Sequence, residues 1–428
     1  MRMHSAHRAS GAEVIISTIR ARRNVSKLIL GHNELGDAGV IHLFEFLLSP
    51  DAAKYRIREV SLNSNKISNA GLLAVAAYLT DNKHLNSLFL QDNDFTADPS
   101  VTAAFADAVN SSSLEVLSMA TNRRLGDQFV ADFLPQLDTP SLREVYLSAM
   151  DLTAASLHPI AAYIASNRTQ LQTFKCNGNL LGTRAVQEII RTVENHNYHL
   201  LTLELYSNNL AGGEDDRTGG SSVQDKAPTW QSCELLLRRV LMRNAHLKRE
   251  AEHDALRLLY YARALLLRST GTLRERSGRC TGCTCYSSRS RSPSPVPVEV
   301  LSPAGTGTPQ LPTELLHYIL SLFAPSLSPS QRVRIYHYAA RPETLPRVAQ
   351  CEGASTGGGV CVPDPSSLDF GGSKVWDIEG PGRSGGCGSG KCMGGGSLVC
   401  HREQERVRWL SEVGCNAYEP PQKVDEHA

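Results

Sequence analysis

The sequence predicts an α/β solenoid, a right-handed coil of strand–turn–helix units with a parallel sheet on its concave side and helices outside. Three observations carry this. An apolar register recurs seven times, starting at Val25, Ile57, Leu85, Leu114, Leu142, Leu171 and Leu200, with spacings of 32, 28, 29, 28, 29 and 29 residues. Within each copy apolar residues fall at offsets 0, 3 and 5, as in Leu85, Leu88 and Leu90, and the alternation of the last two marks a short strand. Three residues beyond the strand stands an asparagine in six of the seven copies, Asn33, Asn65, Asn93, Asn122, Asn179 and Asn208, with Met150 in the remaining slot.

Residues 1–24 read as an N-terminal capping helix: Ser10 followed by Glu13 has the spacing of a capping box, and Ile15, Ile16 and Ile19 supply an apolar face. Residues 25–210 hold the seven repeats. An amide both donates and accepts, so an inward asparagine at each turn satisfies backbone groups that the bend leaves without ladder partners. After it an apolar residue (Leu35, Ile67, Phe95, Leu125, Leu152, Leu181 or Leu210) leads into a helical pattern, as in Gly71, Val75 and Leu79. One unit cannot bury its apolar face alone; stacking joins the faces into a continuous core.

The 28/29 alternation, the LxxLxLxxN pattern and the full helix per unit resemble the ribonuclease-inhibitor class of leucine-rich repeats over about residues 25 to 210. The resemblance implies a leucine-rich-repeat horseshoe that binds a protein on its concave face and catalyses nothing.

After Leu210 the chain breaks into AGGEDDRTGGSSVQDKAPT, a predicted loop insert at 211–229. Asn244, His246 and Leu247 echo Asn82, His84 and Leu85, and also Asn197, His199 and Leu200, where one repeat hands over to the next. Residues 230–268 therefore read as a repeat helix resuming near Trp230, then a cap helix marked by Ala255, Leu258, Leu259, Ala262, Leu265 and Leu266. Beyond it lie an Arg/Ser/Pro linker at 269–310, a helical segment at 311–346, a Gly/Ser/Cys-rich stretch at 347–401, a short helix at 402–414 with Val407, Leu410 and Val413 along one stripe, and a tail at 415–428. The linker and the Gly/Ser-rich stretch have compositions expected to stay disordered, and either helical segment is expected to dock on the solenoid.

Composition narrows the function. Lys plus Arg number 44 against 43 Asp plus Glu, which argues against a diffuse phosphate-seeking field and so against nucleic-acid binding. The apolar run Val14 to Ile16 is too short for a signal sequence, and no stretch reaches the roughly 18 to 20 apolar residues of a spanning helix. The expectation is an intracellular protein, cytoplasmic or nuclear, without membrane contact. No metalloprotease helix, nucleophile elbow or convergent carboxylate set is present, so neither enzyme activity nor a cofactor is expected.

The strands are expected to place their offset-4, offset-6 and offset-7 side chains on the concave face. Phe89, Gln91, Asp92, Tyr146, Lys175, Asn177, Glu204 and Tyr206 are the candidate partner-binding residues, aromatics amid polar groups as at many interfaces. Offset 4 also gives Ile29, Ser61 and Ser118. A different partner is implied by LPTELLHYIL at 311–320, which resembles the opening of an F-box and would set Leu311, Pro312, Leu315, Leu316, Ile319 and Leu320 against a ubiquitin-ligase adaptor. It follows the repeats instead of preceding them, and its second half lacks the usual tryptophan. Repeat length also resembles the activators of the Ran GTPase, whose tails are strongly acidic; the tail here is not, and a small GTPase is an alternative partner.

Ser288, Ser290, Ser292 and Ser294, alternating with arginine and proline, are phosphorylation candidates that would turn a basic linker acidic or mixed. Cys280, Cys283 and Cys285 form a CxxCxC cluster, weighed as a zinc site against reduced thiols in low-complexity sequence; the latter is preferred and no metal is expected. Gly385 with Gly390 and Lys391 has phosphate-loop spacing, but Cys392 replaces the Ser/Thr and no strand precedes it.

Overall fold

The computed structural model describes residues 3–166, 168, 170–210, 229–269, 311–345 and 401–420. The loop insert up to residue 228, the linker with Ser288, Ser290, Ser292 and Ser294, the CxxCxC cluster and the phosphate-loop-like segment lie outside the described residues. The chain divides into two compact units, Met1–Ala245 and His246–Ala428.

The first unit opens with helix α1 (Met3–Arg20) and then alternates β1 (Lys27–Ile29), α2 (Gly36–Leu48), β2 (Glu59–Ser61), α3 (Asn69–Leu79), β3 (Ser87–Phe89), α4 (Pro99–Ser111), β4 (Val116–Ser118), α5 (Gly126–Phe133), β5 (Glu144–Tyr146), α6 (Leu157–Ala165), β6 (Thr173–Lys175), α7 (Gly182–His196) and β7 (Thr202–Glu204). The seven strands form one parallel sheet in chain order, the arrangement of a leucine-rich-repeat solenoid. Register follows the repeat without slippage: Ile29, Ser61, Phe89, Ser118, Tyr146, Lys175 and Glu204 are successive Cα partners. Leu28, Val60, Leu88, Leu117, Val145, Phe174 and Leu203, one residue earlier in each strand, are at most 5% exposed. A slip of one residue would turn this whole row to solvent at about 1.5–3 kcal/mol per side chain, and that penalty pins the register.

The turn after each strand has a demand that composition does not advertise. His32, Ser64, Asp92, Thr121, Ala149, Gly178 and Ser207, all at offset 7, have φ between 53° and 71°, yet only one is glycine. Where the following repeat supplies an asparagine, that side chain braces this turn. Asn65 Oδ1 accepts the backbone N–H groups of Asn33 and Leu35, each at 3.2 Å, while its Nδ2 donates to the carbonyls of Leu30 at 2.8 Å and Asn63 at 3.1 Å. Asn93 and Asn179 repeat the arrangement. Met150 is fully buried in the same slot; its own N–H reaches Asn179 Oδ1 at 2.8 Å, but its side chain offers no amide to the repeat before it.

Asp37, in the first turn of α2, accepts from the Ser68 N–H at 2.7 Å and the Gly71 N–H at 3.0 Å, so a carboxylate of one repeat caps the helix of the next. Asp127 serves Thr153 in the same way.

Several sequence expectations change. Ser10 lies inside α1, not at its start. Residues 230–268 are not a repeat helix followed by a separate cap: Trp230–Ser269 is one helix, α8, of 40 residues. Asn82 and Asn197 do form the hand-over turn, each Oδ1 accepting the N–H groups two and three residues on. Asn244, their echo, is mid-helix, and its buried Nδ2 donates instead to the carbonyls of Asn197 at 3.2 Å and Leu200 at 2.8 Å. These carbonyls lie at the entry to β7, which pairs with no further strand among the described residues.

The second unit contains the rest of α8 with α9 (Thr313–Ser321), α10 (Pro329–Ala339) and α11 (His401–Glu412). Their apolar faces meet in a core of their own made of Ala255, Leu258, Leu259 and Ala262 from α8, Leu316 and Leu320 from α9, Ile335 and Tyr336 from α10, and Trp409 and Leu410 from α11. On α11 the buried stripe runs through Trp409, Leu410 and Val413, while Val407 is exposed. The expected tail begins with a tether: Gln331 Nε2 donates to the carbonyls of Gly414 at 3.0 Å and Ala417 at 2.9 Å, Arg334 reaches Glu419 at 2.6 Å, and Cys415 is buried.

Candidate functional site

The sheet face turned away from the helices carries offsets 2, 4 and 6 of each strand, because offsets 3 and 5 are committed to the core. Helices are about 10 Å wide and strands about 4.8 Å apart, so a stack of such units closes on the sheet side and makes that face concave.

Its chemistry concentrates in the last three repeats. Lys175 Nζ lies 4.9 Å from the centroid of the Tyr146 ring and 2.9 Å from Glu204 Oε1. Tyr206 donates its hydroxyl to Glu204 Oε2 at 3.1 Å, and Tyr146 donates its own to Glu144. Ser148 Oγ donates to Asn177 Oδ1 at 2.6 Å. Two carboxylates against one ammonium leave this cluster with a net charge of −1. Desolvation first, then the hydrogen bond to Glu144 and the charges of Glu144 and Glu204, push the Tyr146 phenol well above its ordinary value. Tyr206 is also raised, chiefly by its bond to Glu204. Both phenols thus remain protonated donors at neutral pH.

Phe89, Gln91 and Asp92 lie two repeats away. Phe89 is half-buried, and Asp92 accepts from Ser64 Oγ at 2.7 Å. Ser61 and Ser118, expected on the open face, are buried at 7% and 0% exposure. Ser118 is paired in register with Phe89 and Tyr146, whose larger side chains overtop it. Sequence reasoning missed Glu144 and Ser148; strand alternation puts offset 2 on the same face as offset 4, and that signal was available for Glu144.

The residues of the F-box-like segment separate. Leu311, Pro312, Leu315 and Ile319 are exposed, whereas Leu316 and Leu320 are buried in the helical core and cannot contact an adaptor. Among the described residues no group of three or more His, Cys, Asp or Glu side chains could hold a metal ion, and no helix is long and apolar enough to cross a membrane. Burial pushes the Cys176 thiol up to about 12, which removes it as a nucleophile near neutrality.

The chain is similar to ribonuclease inhibitor from Mus musculus, 25% identical over 226 residues covering 46% of this chain and 49% of that protein. The Sus scrofa ribonuclease inhibitor is 25% identical over 227 residues with the same coverage. The chain thus spans about half the length of the curated relatives it matches. Among solved structures, the tropomodulin C-terminal domain of Caenorhabditis elegans matches 55% of this chain and 93% of its own at 12% identity and a TM-score of 0.23, a likeness from which no function follows. No protein-family model matches the chain. The parallel seven-stranded repeat architecture is that of a leucine-rich-repeat solenoid, and the chain is similar to the ribonuclease inhibitors over the matched residues.

Proposed function

We propose that the protein is a non-catalytic scaffold, acting inside the cell without a cofactor, that holds a partner protein on the concave face of its repeats. The observation that carries this is the cluster of Glu144, Tyr146, Lys175, Glu204 and Tyr206, in which two aromatic rings and three charges are pre-arranged by one another on a rigid sheet. Such amphipathic, low-entropy side chains dominate binding energy at protein interfaces. The relatives, ribonuclease inhibitors by name, support the same class of role, binding to a protein. Replacing Phe89, Tyr146 and Tyr206 together by alanine should abolish recovery of a partner captured from native extracts by the wild-type protein. Undiminished recovery by a folded triple variant would remove this face from consideration.

A second reading is favoured by one observation. Leu311, Leu315, Tyr318, Ile319 and Leu322 form a stripe along α9 that is between 38% and 65% exposed. Large apolar side chains so grouped mark contact surfaces, and a ubiquitin-ligase adaptor would be their partner. Nothing comparable favours GTPase activation.

A further inference from the structure

The start of the sheet carries a second surface, opposite in character to the first. An open cleft of about 470 Å³ is lined by Lys27, Arg58, Glu59, Lys83, His84, Asn86 and Ser87. It lies where the chain enters strands β1 to β3, at the opposite end of the strands from the asparagine turns. Arg22 and Arg23 precede β1, and Arg56 lies two residues before Arg58; all three are exposed. The corresponding positions of repeats four to seven are different. They hold Ser112, Ser113 and Glu115, then Pro140, Ser141 and Arg143, then Gln170 and Gln172, then Tyr198, His199 and Leu201. Arg143, the one lysine or arginine of that set, is engaged with Gln170. The basic rim therefore belongs to the first three repeats alone.

Its cations are only partly committed. Lys27 pairs with Glu59 at 2.5 Å, and Lys83 donates to the Ser111 carbonyl at 2.6 Å. The Arg58 guanidinium and the His84 ring have no hydrogen-bond or ion-pair partner among the described residues, and both are exposed. Of the nearby carboxylates, Glu59 is held by Lys27 and Glu115 by Asn86 Nδ2 at 2.9 Å.

We infer that this rim is a second docking site, one that takes an acidic segment of a protein. Arg58 supplies the planar fork that matches a carboxylate in bidentate fashion, with Lys83 as a point charge beside it. Three adjacent strands span only about 10 Å, room for two or three carboxylates rather than for a run of backbone phosphates. No phenylalanine, tyrosine or tryptophan lines the cleft on which bases could stack. Those features select an acidic peptide over a nucleic acid. The site lies apart from the Tyr146–Glu204 cluster and opposes it in sign, so one chain could hold a partner's acidic and neutral-to-basic faces at once.

The test uses the full-length protein and a fluorescein-labelled hexaglutamate peptide read by fluorescence anisotropy. Wild type should bind, more weakly as salt rises from about 50 to about 200 mM. Arg58→Glu combined with Lys83→Glu should weaken binding by at least about tenfold. Should that pair unfold the protein, Arg58→Gln with Lys83→Gln replaces it and should still weaken binding severalfold. The Phe89, Tyr146 and Tyr206 alanine variant should keep wild-type affinity, separating this site from the concave cluster. No binding by wild type, equal binding by the charge variants, or tighter binding of a single-stranded oligonucleotide of equal charge overturns the assignment.

Discussion

Lys175 bridges two residues from neighbouring strands, its ammonium 4.9 Å from the ring centroid of Tyr146 and 2.9 Å from the carboxylate of Glu204. Each contact needs the zero-shift register that sets Tyr146, Lys175 and Glu204 side by side. A flexible lysine is thereby fixed in one place, and its neighbours are presented to a partner already ordered.

Lys175→Ala should lower stability by about 1 kcal/mol or less, because cation–π contacts and ion pairs at part-exposed sites each contribute little. Its larger effect should fall on binding, through loss of order in Tyr146 and Glu204. Urea denaturation and partner affinity, measured on the same preparation, check the split; a loss of stability above about 2 kcal/mol would mean that the lysine is structural.

The asparagine ladder offers an internal comparison. Asn179 satisfies two buried N–H groups and two buried carbonyls, whereas Met150 only fills space in the same slot. Asn179→Leu should cost about 2–4 kcal/mol, and Met150→Leu less than about 1.5 kcal/mol. Equal costs in chemical denaturation would show that the ladder adds nothing to packing.

Gly71 is the tightest glycine of the repeats. A methyl group there would lie 2.4 Å from Ile67 Cγ2 and 2.8 Å from Asp37 Oδ1, the oxygen that caps α3 through Ser68 and Gly71. Although alanine favours helix, Gly71→Ala should destabilise by about 1–3 kcal/mol. Its melting temperature should fall, whereas a gain would show that Asp37 moves aside freely.

How much of this was legible follows from the physics of each signal. Offsets 3 and 5 announced themselves because burial demands apolar residues with period two, and the resulting frame gave all six strand pairings. The left-handed turn residues were invisible at His32, Asp92 and Ala149, because an asparagine of the next repeat (Asn65, Asn122 or Asn179), not glycine, supports the conformation there. Continuity of α8 was hidden by the Asn244 echo, for the same asparagine chemistry that opens a strand can also seal an edge. On the open face, Phe89 and Tyr146 were readable as surface aromatics, but their covering of Ser118 depends on relative side-chain height across strands.

Asp127 gives a pH dependence with a definite sign. Desolvation raises its carboxyl, but hydrogen bonds from Ser156 and Thr153 outweigh this and hold it below the usual carboxylate range. A depressed folded value contributes stability that is present above the unfolded value of about 3.9 and lost as pH falls through the folded one. Asp127→Asn should therefore flatten the acid side of the stability profile below about pH 5 while leaving the curve between about pH 6 and pH 8 parallel to wild type. Thermal melts across that range decide it, and an unchanged acid limb would count against the Asp127 network.

The two faces of α9 separate a folding role from a binding role. Leu320 is fully buried beside Ile335 and Trp409, so Leu320→Asp places a charge in the helical core and should unfold that unit, at a cost well above 3 kcal/mol. Leu315 is 48% exposed, and Leu315→Asp should leave the melting curve of the protein within about 0.5 kcal/mol of wild type. If a ubiquitin-ligase adaptor docks on this helix, it must use the exposed stripe, since Leu316 and Leu320 are out of reach. Recovery of the adaptor with wild-type protein, and its loss with a fully folded Leu315→Asp variant, is the expected result under that reading. Loss only with Leu320→Asp would show that recovery depended on the fold of the unit and not on the stripe. Failure of wild type to bring down any adaptor removes the second reading and leaves the concave face as the docking surface to pursue.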